Sequence, residues 1–139
     1  MKKVKVVIGA NFGDEGKGLM TDYFCDKLAG KVLNVRFNGT SQAGHTVERD
    51  GVCHVFSHFG SGSLAKGVVT YLSSDFFFNP VSFFEERLRL EEKGINPLVY
   101  LCNESEAITI YDVFFNCTSL EKVYLPDIIT EIGEGAFSG

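Results

Sequence analysis

The 139-residue chain has no tryptophan and only four cysteines. Cys25, Cys53, Cys102 and Cys117 are scattered, with no C-x-x-C pair and no regular spacing, so they read as reduced thiols of a cytosolic protein rather than as a disulfide framework. Cations are in short supply: 13 Lys and Arg stand against 18 Asp and Glu, giving a net charge of -5 and a pI near 5.1. Beyond Lys2, Lys3 and Lys5 no basic cluster occurs, which argues against a nucleic-acid surface, because a phosphate backbone is gripped by clustered Lys and Arg. Long apolar runs are missing too. Nothing approaches the roughly 18 residues of a membrane span. The run Val6 to Ile8 after those lysines is too short for a signal peptide and is soon followed by Asp14 and Glu15.

What is present suits one globular domain with a sizeable core: 45% of residues are hydrophobic and 22% charged. Phe76, Phe77, Phe78, Phe83 and Phe84 cluster where a strand meets a helix and read as core. Val4, Val6, Val7 and Ile8 form a β-branched run that reads as a strand buried on both faces. A polar, glycine-rich loop runs from Ala10 to Gly18. Leu19, Met20, Tyr23, Phe24 and Leu28 then recur at helical spacing, with Gly30 placed to end the helix. Lys31 to Phe37 (KVLNVRF) reads as the next strand, which makes a βαβ unit and requires a partly parallel sheet.

Asn38 to Gly44 (NGTSQAG) reads as a second polar loop. Asp50-Gly51 between Thr46 to Arg49 and Val52 to Phe56 predicts a β-hairpin. Val68 to Leu72 is a further strand. Asn79-Pro80 opens a helix that Gly94 ends, and Leu98 to Cys102 adds one more strand. The expected fold is therefore α/β: an open, mostly parallel sheet with flanking helices and a hairpin. His54 and His58 have i,i+4 spacing, but on a strand they lie roughly 13 Å apart, which argues against a zinc site.

The chemistry concentrates in Gly13-Asp14-Glu15-Gly16-Lys17-Gly18, placed between a predicted strand and a helix, where amide N–H groups and the helix dipole converge. Glycines allow close approach to phosphate oxygens, Lys17 offers a charge for them, and Asp14 is suited to holding Mg²⁺ or taking a proton. This is neither a Walker A loop, since Asn11 stands at the first glycine position and Gly18 replaces the Ser or Thr, nor the dinucleotide pattern G-x-G-x-x-G.

The pair VVIGANFGDEGKG and VRFNGTSQAGHTV, in that order, resembles the N-terminal signature of adenylosuccinate synthetases, and HVFSHFGSGSL, VVTYLSSDFFFNP and ITIYDVFFN are similar to the continuation in that family, nearest its shorter archaeal and viral-type branch. The resemblance covers residues 1–116. It implies a partial synthetase fold, related to P-loop folds, and a ligase of purine biosynthesis in which GTP phosphorylates the 6-oxygen of IMP and aspartate displaces the phosphate. The implied catalytic pair is Asp14 as general base and His45 as the acid facing the phosphate. Implied contacts to GTP are Gly13, Asp14, Glu15, Gly16, Lys17, Gly18, Gly44, His45 and Thr46. Those to IMP are Asp14, Glu15, Gly16, Lys17, Gln42, Ala43, Gly44 and His45, with Gln42 standing where most members have Asn. Mg²⁺ is implied at Asp14 and the Gly44 carbonyl.

From Cys117 onward the text changes to CTSLEKVYLPDIITEIGEGAFSG, which fits neither helix nor strand periodicity and resembles one unit of a BspA-type leucine-rich repeat. The expected organisation is a synthetase-like GTP- and IMP-binding domain over 1–116 and a single repeat coil over 117–139. Together these imply a truncated or fused synthetase that binds phosphate and Mg²⁺ with little or no turnover. Two alternatives stand beside it: a leucine-rich-repeat interaction protein with a non-catalytic synthetase-derived part, and a fragment of the viral-type 2-aminoadenylosuccinate synthetase acting on dGMP. An uncovered apolar face predicts homodimers or aggregation.

Overall fold

Residues 3–11, 13–28, 31–41 and 43–108 are described by the computed structural model of the chain. The chain divides into two compact units, 1–107 and 108–139. The regular elements of the first unit are α1 (Lys17–Lys27), β1 (Val32–Arg36), β2 (Gly39–Thr40), β3 (His45–Arg49), β4 (Val52–Phe56), a 3₁₀ turn (Ser61–Leu64), β5 (Val68–Leu72), β6 (Phe76–Phe77), α2 (Pro80–Glu91) and β7 (Leu98–Leu101).

The main sheet is parallel throughout, in the order β1-β5-β7, with Val32 opposite Val68 and Val69 opposite Leu98. Alternation sets its two faces. Val32, Asn34, Val68, Thr70, Leu72 and Val99 point to the side that carries the 3₁₀ turn and α2, while Leu33, Val35, Leu98 and Tyr100 on the other side are exposed. The inner side carries polar groups that catch backbone. Thr70 Oγ1 accepts from Gly60 N at 2.9 Å and Asn34 Oδ1 accepts from Gly62 N at 3.1 Å, so the chain entering the 3₁₀ turn is tied to the sheet.

β3 and β4 form the predicted antiparallel hairpin. Asp50 (φ 51°) and Gly51 (φ 78°) are both left-handed, as a two-residue turn matching the twist of its strands requires. α2 begins as expected: Pro80 occupies its first turn and Asn79 Oδ1 accepts from Ser82 N at 3.0 Å. Its buried residues, Phe83, Glu86 and Leu90, face a core of Val47, Phe56 and Phe59.

Several expectations give way to the fold. Residues 3–9 form no strand, and Val4, Val6 and Ile8 are 88%, 72% and 73% exposed. β-Branched residues favour a strand, but a strand needs a ladder, and β1 pairs with β5 alone among the described residues. The βαβ unit is therefore not completed ahead of α1. Within α1 the apolar positions Leu19, Met20 and Tyr23 are exposed, as is Leu28 just beyond it, and the buried stripe is Gly18, Asp22 and Cys25. Arg49 causes this inversion, because its guanidinium pairs with Asp22 at 2.7 Å and Asp26 at 2.5 Å and draws that face onto the hairpin.

The helix ends at Lys27 with Leu28 as its C-cap; Gly30 lies outside the described residues. The loop Asn38 to Gly44 contains β2, which pairs in parallel with β6. Of the phenylalanine cluster, Phe76 and Phe83 are buried and Phe78 half-buried, but Phe77 and Phe84 are exposed, each being the sequence neighbour of a buried ring and so turned away from it. The repeat-like segment 117–139 and Gln42 lie outside the described residues. No helix among the described residues is long and apolar enough to cross a membrane.

Candidate functional site

The loop ahead of α1 bends through Gly13 (φ 124°), Asp14 (φ 51°) and Gly16 (φ 73°). A left-handed Asp is uncommon, and such positions gather at functional turns. Gly16 is the N-cap and supplies no side chain to the first amides of α1, in contrast to Asn79 on α2. Lys17 opens the helix and its ammonium pairs with Glu15, whose other oxygen accepts from Asn11 N at 2.7 Å. The bond from Lys17, followed by that from Asn11, holds the Glu15 carboxyl below the usual carboxylate range.

β3 brings His45 against this helix start. A Cβ on Gly18 would lie 2.8 Å from His45 Cβ and 3.3 Å from Ser61 Oγ, so only glycine allows α1, the hairpin and the 3₁₀ turn to meet so closely. This is the physical reason that Gly18 stands where a Walker A loop has its hydroxyl residue. Beside the junction lies a cleft of about 350 Å³ whose walls include Lys17, Gly18, Arg36, Asn38, His45 and Ser61. Among the described residues no Asp or Glu lines it, and the Glu15 carboxylate reaches its wall residue Lys17. His45 is held below the ordinary histidine value, first by burial and then by the charges of Arg36 and Lys17. Its Nδ1 is buried without a hydrogen-bond partner among the described residues.

Lys17, Gly18 and His45 are thus brought to one cleft. Asp14 is exposed and is not among the lining residues, and Gly13, Glu15, Gly16, Ala43 and Gly44 likewise stand outside the walls. Thr46, one residue along β3, is exposed and by strand alternation points away from His45. Arg36 is a wall residue to which the motif reading gave no role, although it stands second in VRFNGTSQAGHTV. Its signal was a charge inside the strand text KVLNVRF, two residues after Asn34 and so on the same inward face.

A second polar cluster lies under the hairpin. Glu86 of α2 is fully buried, accepts from Ser57 N at 3.0 Å and His58 N at 2.7 Å, and faces His54 Nε2 at 3.6 Å and His58 Nδ1 at 3.5 Å. The far ring nitrogens serve as acceptors: Asn79 N donates to His58 Nε2 at 3.2 Å, and Lys93 Nζ approaches His54 Nδ1 at 3.1 Å. The nitrogens turned to Glu86 therefore carry the ring hydrogens, which fixes both tautomers. The two histidines are not spread along one strand, because β4 stops at Phe56 and the chain folds His58 back to the same carboxylate. Among the described residues no group of three or more His, Cys, Asp or Glu is placed to hold a metal ion.

Comparison with known proteins decides the family. The family model for adenylosuccinate synthetase matches residues 6–123. The chain belongs to the adenylosuccinate synthetase family. The match runs into the segment where the repeat-like text begins. The adenylosuccinate synthetase of Thermoanaerobacter sp. (strain X514) is 36% identical over 91 residues, covering 66% of this chain and 21% of that protein. That of Sordaria macrospora is 32% identical over 123 residues, covering 88% of this chain and 28% of that protein. Among solved structures, the fully ligated adenylosuccinate synthetase from Plasmodium falciparum superposes with a TM-score of 0.59 at 25% identity, covering 72% of this chain and 23% of that one. The chain spans about a fifth to under a third of the length of the synthetases it matches.

Proposed function

We propose that the first unit is the phosphate-handling part of an adenylosuccinate synthetase-type ligase: it binds the phosphates of GTP with Mg²⁺, while adenylosuccinate formation by the 139-residue chain alone is absent or very low. The observation that carries this reading is the meeting of Lys17, Gly18 and His45 at one cleft beside the uncapped start of α1. A cleft walled by Lys17, Arg36 and His45 beside uncapped helix amides favours an anion that can take the place of the Glu15 carboxylate on Lys17. Lys17 would exchange its bond to Glu15 for a phosphate oxygen. His45 would face the transferred phosphoryl group and hold a proton for it, and the Arg36 and Lys17 charges that now disfavour that proton are those a phosphate offsets.

In this reading IMP is the phosphoryl acceptor and aspartate the nucleophile, and Asp14 takes the proton released from the purine. Asp14 reaches the purine only if the 13–16 loop turns in over bound phosphate. Its carboxylate and the Gly44 carbonyl are the hard oxygen donors that suit Mg²⁺, a cation bound through one or two carboxylates plus substrate phosphates rather than a closed protein cage. When bound, the ion would neutralise phosphate charge. Groups that read IMP, aspartate and guanine would come from the parts of the synthetases that this chain does not span.

The test is isothermal titration with GTP and Mg²⁺ of the wild-type chain, Lys17→Ala and Asp14→Asn. The reading predicts measurable heat for the wild type and weaker binding for both variants. Equal heats for all three would end the assignment of these residues, and steady product formation from IMP, GTP and aspartate would refute the claim that the chain does not turn over.

A further inference from the structure

Arg36 closes β1, and alternation turns its side chain to the same inner face as Asn34, where it forms part of the cleft wall. A guanidinium taken out of water needs hydrogen-bonding oxygens around it. Arg36 lacks them: Nη1 is buried without a partner among the described residues, and the neighbour on one side is the Phe76 ring, 4.8 Å from the guanidinium carbon to the ring centroid. Burial pushes its pKa down to about 10, against the opposing pull of Glu86. Glu86 is in any case committed to two backbone amides and faces two histidine rings. Lys17, the other fixed cation of the cleft, is already paired with Glu15. Among the described residues the cleft thus contains one cation with an ion-pair partner and one with a buried, unpartnered Nη1.

We propose that Arg36 is a binding residue of this cleft, its guanidinium taking an oxygen of the bound polyphosphate together with Lys17. The assignment rests on reading the cleft as a phosphate site and adds Arg36, which lies in VRFNGTSQAGHTV, to the contacts assigned from that motif. Guanidinium is the group suited to this position, because its planar fork matches two phosphate oxygens and an ammonium offers only a point charge. The ligand class is an inorganic or nucleoside polyphosphate.

Inorganic triphosphate is the probe, titrated calorimetrically into the full chain and into Arg36→Met, Arg36→Lys and Lys17→Ala, with a ligand-free thermal melt of each. Arg36→Met is expected to weaken triphosphate binding about tenfold or more, the scale of one charge-assisted contact, with Arg36→Lys between it and the wild type. Loss of binding in Lys17→Ala with wild-type affinity in Arg36→Met would overturn the role of Arg36 and leave the cleft reading standing. Failure of the wild type to bind triphosphate would overturn both. Should the ligand-free melt show Arg36→Met unfolded, Arg36→Lys decides: weakened binding with an unchanged melt supports the contact, and unchanged binding overturns it.

Discussion

Replacing Glu86 by Gln perturbs the unit where its interior is most polar. Burial by itself would raise this carboxyl, but His54, His58 and the amides of His58 and Ser57 together hold it at about 2, against an ordinary 4.5. At about 1.4 kcal/mol per unit, that shift corresponds to about 3 kcal/mol favouring the charged form in the folded chain. The folded value lies below the unfolded one, so the contribution is complete above about pH 4.5 and is lost as pH falls toward about 2. In Glu86→Gln one oxygen still accepts an amide hydrogen, but the new NH₂ group meets the second amide N–H, donor against donor. The expected loss at pH 7 is about 3 kcal/mol. Urea unfolding followed by far-UV circular dichroism measures it, and the gap between wild type and variant should close as pH falls below about 4. A variant within about 0.5 kcal/mol of wild type at pH 7, the range of neutral surface changes, or a gap independent of pH, would refute the placement of a buried charge between two histidines.

Gly18→Ala places a methyl 2.8 Å from His45 Cβ, so the helix start and the hairpin must separate; the expected cost is about 1–3 kcal/mol together with weaker GTP binding, read by thermal melting and titration. Burial, reinforced by Asp22, pushes the Cys25 thiol up to about 11, so at pH 8 iodoacetamide should label exposed Cys53 and leave Cys25 unmodified until the chain is unfolded; equal labelling of both in the folded chain would contradict the packing of α1. The apolar sheet face of Leu33, Val35, Leu98 and Tyr100 predicts self-association at micromolar concentration, and a monodisperse monomer by light scattering would count against it.

The hairpin, α2 and the three parallel strands were legible because each is specified locally, by Asp50-Gly51, by Asn79-Pro80 and by short β-branched runs. The run Val4 to Ile8 carries the same local preference, yet its exposure depends on a ladder partner that a sequence window cannot see. The buried face of α1 was misread for a related reason: Asp22 looks like a surface residue until Arg49, 27 positions away, is known to cover it. At the site, Lys17, Gly18 and His45 line one cleft, whereas Asp14, which the motif reading set beside His45, is exposed and not among its lining residues. Arg36, His54 and His58 lie in the segments VRFNGTSQAGHTV and HVFSHFGSGSL, and Glu86 in neither, yet the segments assign none of the four a partner. Their meaning comes from long-range packing: Phe76 against Arg36, and α2 laid under the hairpin.

The most direct test of the central claim is a two-dimensional amide NMR titration of the chain with GTP and Mg²⁺. Binding at the start of α1 predicts saturable shifts concentrated at Gly16, Lys17, Gly18 and His45, with the β3–β4 turn at Asp50 and Gly51 unmoved. Saturable shifts confined to other parts of the unit, or none at millimolar nucleotide, would contradict it.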